Sequence, residues 1–105
     1  MSLNPNQSSH NDSWTFLSNY AHVLVCLSRN PSSRLRDVAQ QVGITERAAQ
    51  RIVSELEQAG VLTRIRDGRR NHYELDLDKP LRHPLESHRS IADLIDLLAP
   101  QSTTV

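Results

Sequence analysis

Cysteine occurs once in this 105-residue chain, at Cys26, and lysine once, at Lys79. A single cysteine excludes an internal disulfide and any zinc site built on paired thiolates, and it fits a reducing compartment. Cys26 lies within an apolar run, which places it in a core rather than in the exposed, electropositive setting that a reactive thiol needs. No apolar run approaches the roughly 18–20 residues that span a bilayer. The opening MSLNPNQSSHNDS has neither the basic start nor the apolar block of a signal peptide. These absences predict a soluble, cytoplasmic protein with no membrane partner. The chain also lacks a Ser/His/Asp set or a carboxylate pair, which argues against an enzyme. His83, Glu86 and His88 in RHPLESH match no zinc spacing, so no metal or other cofactor is expected.

The length suits one domain. A folded part of about 80 residues buries only about 60–65% of its unfolded surface, so a second subunit would add useful stability. Formal net charge is zero, which taken alone speaks against a nucleic-acid partner. The total hides a segregation. From Ser28 to Tyr73 there are nine arginines against five acids, whereas the segments before and after it are both net acidic. Arginine, eleven of the twelve bases, presents a rigid fork of donors matched to phosphate and to the guanine edge.

Residues 1–13 are Asn-, Ser- and Gln-rich and are expected to form a flexible arm, and 101–105 a short tail. WTFLSNYAHVLVCLSRN, from Trp14, has the apolar spacing of a helix, with Phe16, Tyr20, Val23 and Leu27 in one row and Leu17, Ala21 and Leu24 in the next. Asn30-Pro31-Ser32-Ser33 ends it. Leu35 is read as part of a very short strand, and Val38, Ala39 and Val42 as the stripe of a second helix stopped by Gly43. Ile44 is expected to pack inward, and Thr45 to cap the next helix. After Gly60 the period shortens toward two, with Asp67-Gly68 as a hairpin turn and Tyr73, Leu75 and Leu77 alternating with polar residues. DKPLRHPLESHRS reads as an irregular prolyl connection with a turn of helix in PLESH. Ser90 and Asp93 then form a capping box for a final helix.

On a helical wheel, Ala48, Ala49, Ile52, Leu56 and Ala59 share one face of the third helix, and Arg47, Gln50, Arg51, Ser54 and Gln58 share the opposite one, with no acid among them. Two short helices crossed closely over a glycine turn make a helix-turn-helix whose second member can expose its outer face. A major groove about 12 Å wide admits one helix, so Thr45, Glu46, Arg47, Gln50, Arg51 and Ser54 form the candidate recognition set. Arg47 and Arg51 suit guanine or phosphate, and Gln50 suits adenine. Glu46 either complements the helix dipole or accepts from cytosine N4. Arg64, Arg66, Arg69, Arg70 and Asn71 form a candidate wing for a minor groove or for phosphates, and His72 a surface or phosphate contact.

The stretch LRDVAQQVGITERAAQRIVSELEQAGVLTRIRDGRRNHYEL resembles a winged helix-turn-helix of the MarR/ArsR type of transcriptional regulators. The landmarks are VAQQVGIT, LEQAGVLTR at the helix-to-strand junction, and DGRRNHYEL as the wing. With the flanking helices, the likeness to short single-domain members runs from Trp14 to Leu98. It implies an α+β, mainly helical fold, a three-helix core plus a β-hairpin wing with an extra C-terminal helix. It also implies a dimeric transcription factor on a palindromic operator of double-stranded DNA, a repressor by analogy. The paired cysteines of metal-responsive members are missing, and any effector is unspecified.

The expected division is a DNA-binding domain over 14–80 and a connection with a dimerising helix over 81–100. Trp14, Leu17, Tyr20, Leu24, Ile91, Leu94, Ile95 and Leu98 are the candidate dimer contacts, since such apolar faces exceed what a small core hides. The rival is a winged-helix module that binds protein and no DNA.

Overall fold

The computed structural model describes residues 14–100. The elements in chain order are α1 (Asn19–Arg29), α2 (Leu35–Val42), α3 (Glu46–Gln58), β1 (Leu62–Asp67), β2 (Arg70–Leu75) and α4 (Ile91–Leu98). The arm expected over 1–13 and the tail over 101–105 lie outside the described residues.

The first helix begins at Asn19 rather than Trp14. The Thr15 hydroxyl donates to the Leu17 carbonyl at 2.6 Å, a local bond that competes with helical backbone, and Ser18 is extended. From there the apolar rows act as their spacing predicts: Ala21, Val23, Leu24 and Leu27 are buried. Each large aliphatic side chain so buried contributes about 1.5–3 kcal/mol. The helix stops at Asn30, because the ring of Pro31 disfavours helical backbone in the residue before it. The Asn30 side-chain oxygen accepts from Ser32 N at 3.2 Å, which fixes the turn.

Leu35 is the first residue of α2, not part of a strand. The strand-like contact falls four residues earlier, where Tyr73 N donates to Pro31 O at 2.9 Å and so fastens the hairpin to the turn after α1. Gly43 closes α2 with φ 88°, a left-handed conformation that costs a residue with a Cβ strain. The chain then reverses, Ile44 N bonds Ala39 O at 3.0 Å, and Ile44 packs against the core. The Thr45 hydroxyl accepts from Ala48 N at 3.0 Å and caps α3, whose Ala49, Ile52, Val53 and Leu56 point inward.

The hairpin is antiparallel with Leu62 opposite Leu75 and Asp67 opposite Arg70. Its two turn residues are therefore Gly68 and Arg69, one position later than expected. Gly68 has φ 64° and Arg69 a negative φ. That is the pattern of a type II′ turn, which needs glycine first, whereas a turn centred on Asp67-Gly68 would need positive φ at both residues. Tyr73 is buried, Leu75 packs against the core, and Leu77 lies past the strand and is exposed.

The segment PLESH forms consecutive turns rather than helix, with Glu86 N bonded to His83 O and Arg89 N to Glu86 O, both at 2.8 Å. The connection is drawn shut at its base, where Leu81 N reaches Arg89 O at 2.9 Å and Ile91 N reaches Lys79 O at 2.8 Å. Ser90 and Asp93 form the expected capping box, and α4 packs on α1. One core results, with Val23, Leu27, Val38 and Val53 fully buried and Val61, Tyr73 and Ile91 around them. Three helices on this core with a two-stranded hairpin beside α3 make a mainly helical winged helix-turn-helix.

Two of the expected dimer contacts are spent inside the chain. Leu24 and Ile91 are each 3% exposed, so neither has surface to give a partner. Leu94 and Ile95 also pack on their own core, and the Leu98 carbonyl accepts from Arg29 Nη2 at 2.9 Å. Trp14 and Phe16 lie outside the core, edge to face at 4.7 Å and exposed to 75% and 91%.

Candidate nucleic-acid interface

The outer side of α3 is uncovered. Thr45, Glu46, Arg47, Gln50, Arg51, Ser54 and Gln58 are all exposed, while the alanine and aliphatic side is buried or half-buried. Acids do flank this face. Glu46 Oε2 accepts from Gln50 Nε2 at 3.5 Å, and Glu55 Oε2 lies 3.8 Å from Arg51 Nη1. Glu55 stands one turn after Arg51 and about 40° round the helix from it, at the edge of the basic face, which is why the two meet.

The wing arginines divide in two. Arg69 and Arg70 are exposed at the turn, and Arg66 Nε donates to the Gly68 carbonyl at 3.0 Å, which holds it near the tip. Arg64, expected to contact DNA with the rest of the wing, is a half-buried strand residue. It stands opposite Tyr73, bonds Glu57 Oε1 at 3.3 Å and lies 5.8 Å over the Tyr73 ring. The two-residue period of β1 puts Arg64 on the same side as the buried Leu62, and its Nε is sealed without a hydrogen-bond partner among the described residues. Asn71 is half-buried opposite Arg66. His72 is a joint more than a surface contact, half-buried with Nδ1 3.2 Å from Ser32 Oγ.

Between α3 and the wing runs an open cleft of about 710 Å³. Gln50 and Ser54 line one wall, Arg64, Arg69, Arg70 and Asn71 the other, and Ser32, Ser33 and Arg34 close the end at the start of α2. Four arginines line it and no acid does. The sequence reading did not pick out Ser32, Ser33 and Arg34. Their signal was present as hydroxyls and a base ahead of a helix whose N-terminus has no side-chain cap, a setting suited to an anion. This trough brings arginine forks and small polar donors together beside the exposed face of α3, groups of the kind that phosphate and base edges accept from.

Elsewhere the chemistry is sparse. His83 Nδ1 accepts from Leu85 N at 3.0 Å, which accounts for it as a turn-forming group. Among the described residues no three of His, Cys, Asp and Glu gather in a way that could hold a metal ion. The Cys26 thiol is half-buried and donates to Gln41 Oε1 at 3.1 Å. Burial pushes its pKa up against a smaller opposing pull from Arg29, the opposite of the shift that activates a thiol. Among the described residues no helix is long and apolar enough to cross a membrane.

A family model described as winged helix-turn-helix DNA-binding matches residues 22–63. The structure is similar to that of the PcaV transcriptional regulator from Streptomyces coelicolor, solved in complex with its natural ligand, with 27% sequence identity and a TM-score of 0.50. The match covers 83% of this chain and 64% of that one, so the chain spans less than two thirds of the regulator's length. No curated protein matches significantly. The comparisons agree with the fold and with a DNA-binding domain reaching from α1 into β1, and they do not separate the MarR from the ArsR type.

Proposed function

We propose that the chain is a sequence-specific regulator of transcription that binds double-stranded DNA. In this reading α3 enters the major groove, Arg47, Gln50 and Arg51 meet base edges, and Ser54 and the start of α2 hold the phosphates beside them. Arg66, Arg69 and Arg70 on the wing reach the neighbouring minor groove or its backbone. The observation that carries the reading is a cleft lined by Arg34, Arg69 and Arg70 beside the Glu57-paired Arg64, with no acid in its lining, next to an uncovered helix face.

The finer reading is a homodimer on a palindromic operator, acting as a repressor by occupying it. The α3 helices of the two subunits would enter successive major grooves about 34 Å apart. Exposed Trp14 and Phe16, with half-buried Leu17, support a seam along the start of α1.

Selection of bound duplexes from a random pool tests both levels, because it reports binding, sequence and half-site symmetry together. A palindromic consensus is expected, with affinity falling steeply as salt rises in proportion to the phosphates neutralised. A pool that stays random, or an affinity indifferent to salt, would remove the DNA reading in favour of a protein-binding module.

A further inference from the structure

One contact joins the candidate reading face to the start of the domain, and the DNA reading above does not use it. Tyr20, near the beginning of α1, donates its hydroxyl to Oε1 of Glu55 on α3, 35 residues away in sequence. The other oxygen of the same carboxylate faces Arg51 at 3.8 Å. The Arg51 side chain is 62% exposed, so it has room to reach away from the protein. Tyr20 also lines two clefts, one of them shared with Phe16, Leu17 and Leu24.

An ionised carboxylate accepts through both oxygens, and arginine prefers to occupy both at once as a fork. Here one oxygen is already engaged by a phenol. The ion pair is long, with Arg51 Nη1 and Glu55 Oε2 3.8 Å apart.

We propose that Tyr20 and Glu55 are positioning residues for Arg51: the Tyr20 hydroxyl holds Glu55 back from a two-oxygen grip on Arg51, leaving the guanidinium available to DNA. This inference rests on the DNA reading of α3. Without the phenol, Glu55 turns both oxygens to Arg51, and DNA must compete with a stronger internal partner. The hydrogen bond to Glu55 is the main cause that raises the Tyr20 pKa, against a smaller lowering by Arg51, whose side chain also approaches the phenol oxygen, a neutral acceptor weaker than a carboxylate. An isolated exposed pair of this kind is worth little to folding, which makes its effect on binding the quantity to measure.

The test is a mutant cycle on the full chain with a duplex obtained by selection, measuring Kd for the native protein, Tyr20→Phe, Arg51→Ala, the double variant and Glu55→Gln. Tyr20→Phe is expected to weaken binding roughly two- to fivefold, the range set by exposed ion pairs. The same change made with Arg51→Ala should have no further effect. Glu55→Gln should tighten binding and cancel the effect of Tyr20→Phe. Equal losses from Tyr20→Phe with and without Arg51, or an unchanged Kd in the native background, overturn the positioning role. If those equal losses come with a lowered melting temperature, Tyr20 merely packs α1 on α3. A native chain that binds no duplex overturns the DNA reading and this role together, whereas additive losses overturn this role alone.

Discussion

Arg64 and Arg69 belong to the same hairpin and have opposite fates. Arg64 is held by Glu57 and by the face of Tyr73, so its charge is largely answered within the fold. Arg69 occupies the second turn position and is exposed. Arg69→Ala should therefore weaken binding to most duplexes by a similar factor and lower the salt slope by about 1, because a phosphate contact carries no sequence information. Gln50→Ala should relax the preference at one base position, at a cost of about 1–3 kcal/mol on the preferred sequence. Competition binding against single-base variants separates the two. Equal losses on every sequence from both variants would contradict this division of roles.

At the scale of elements, short-range chemistry decides most of what forms. The capping box of α4 is an example: Ser90 N donates to Asp93 Oδ2 at 2.9 Å, and Asp93 N donates to Ser90 Oγ at 3.3 Å. The Ser90 backbone bond is the main reason the Asp93 carboxyl is held below the ordinary aspartate range. A carboxyl whose pKa falls on folding adds stability above its unfolded value and loses it as the pH drops through its folded value. Thermal unfolding should accordingly find Asp93→Asn less stable than the native chain at neutral pH, with the gap closing in acid. A gap that stays constant with pH would show the cap to be electrostatically idle. This box, the Thr45 cap, the Gly43 stop and the buried side of α3 were all legible, since each depends on residues within a few positions of one another. The start of α1 was not, because a hydroxyl bond at Thr15 outweighed a good apolar period. The place of Arg64 was hidden too, since it depends on a register one residue away from the expected turn and on Glu57 in another element. Tyr20 meeting Glu55 is a tertiary contact with no local sign.

For the whole molecule, the exposed aromatic pair at the start of the domain is the feature that lies outside the core of the described residues. Trp14 and Phe16, stacked edge to face and both exposed, form the small apolar surface on which the proposed two-fold contact rests. Sedimentation equilibrium at micromolar concentration should give the mass of a dimer, and Phe16→Ser should shift it toward the monomer while weakening operator binding. A monomer of undiminished DNA affinity would remove the two-fold reading. The 81–89 connection behaves differently from this face, because the backbone bonds at its base fix both ends independently of what lies between. Extra residues threaded in near Leu85 would lengthen an already closed ring, at about 0.6 kcal/mol for each doubling of its length. That makes the ring a natural position for a reporter dye or peptide tag, carried while the helices and hairpin keep their places.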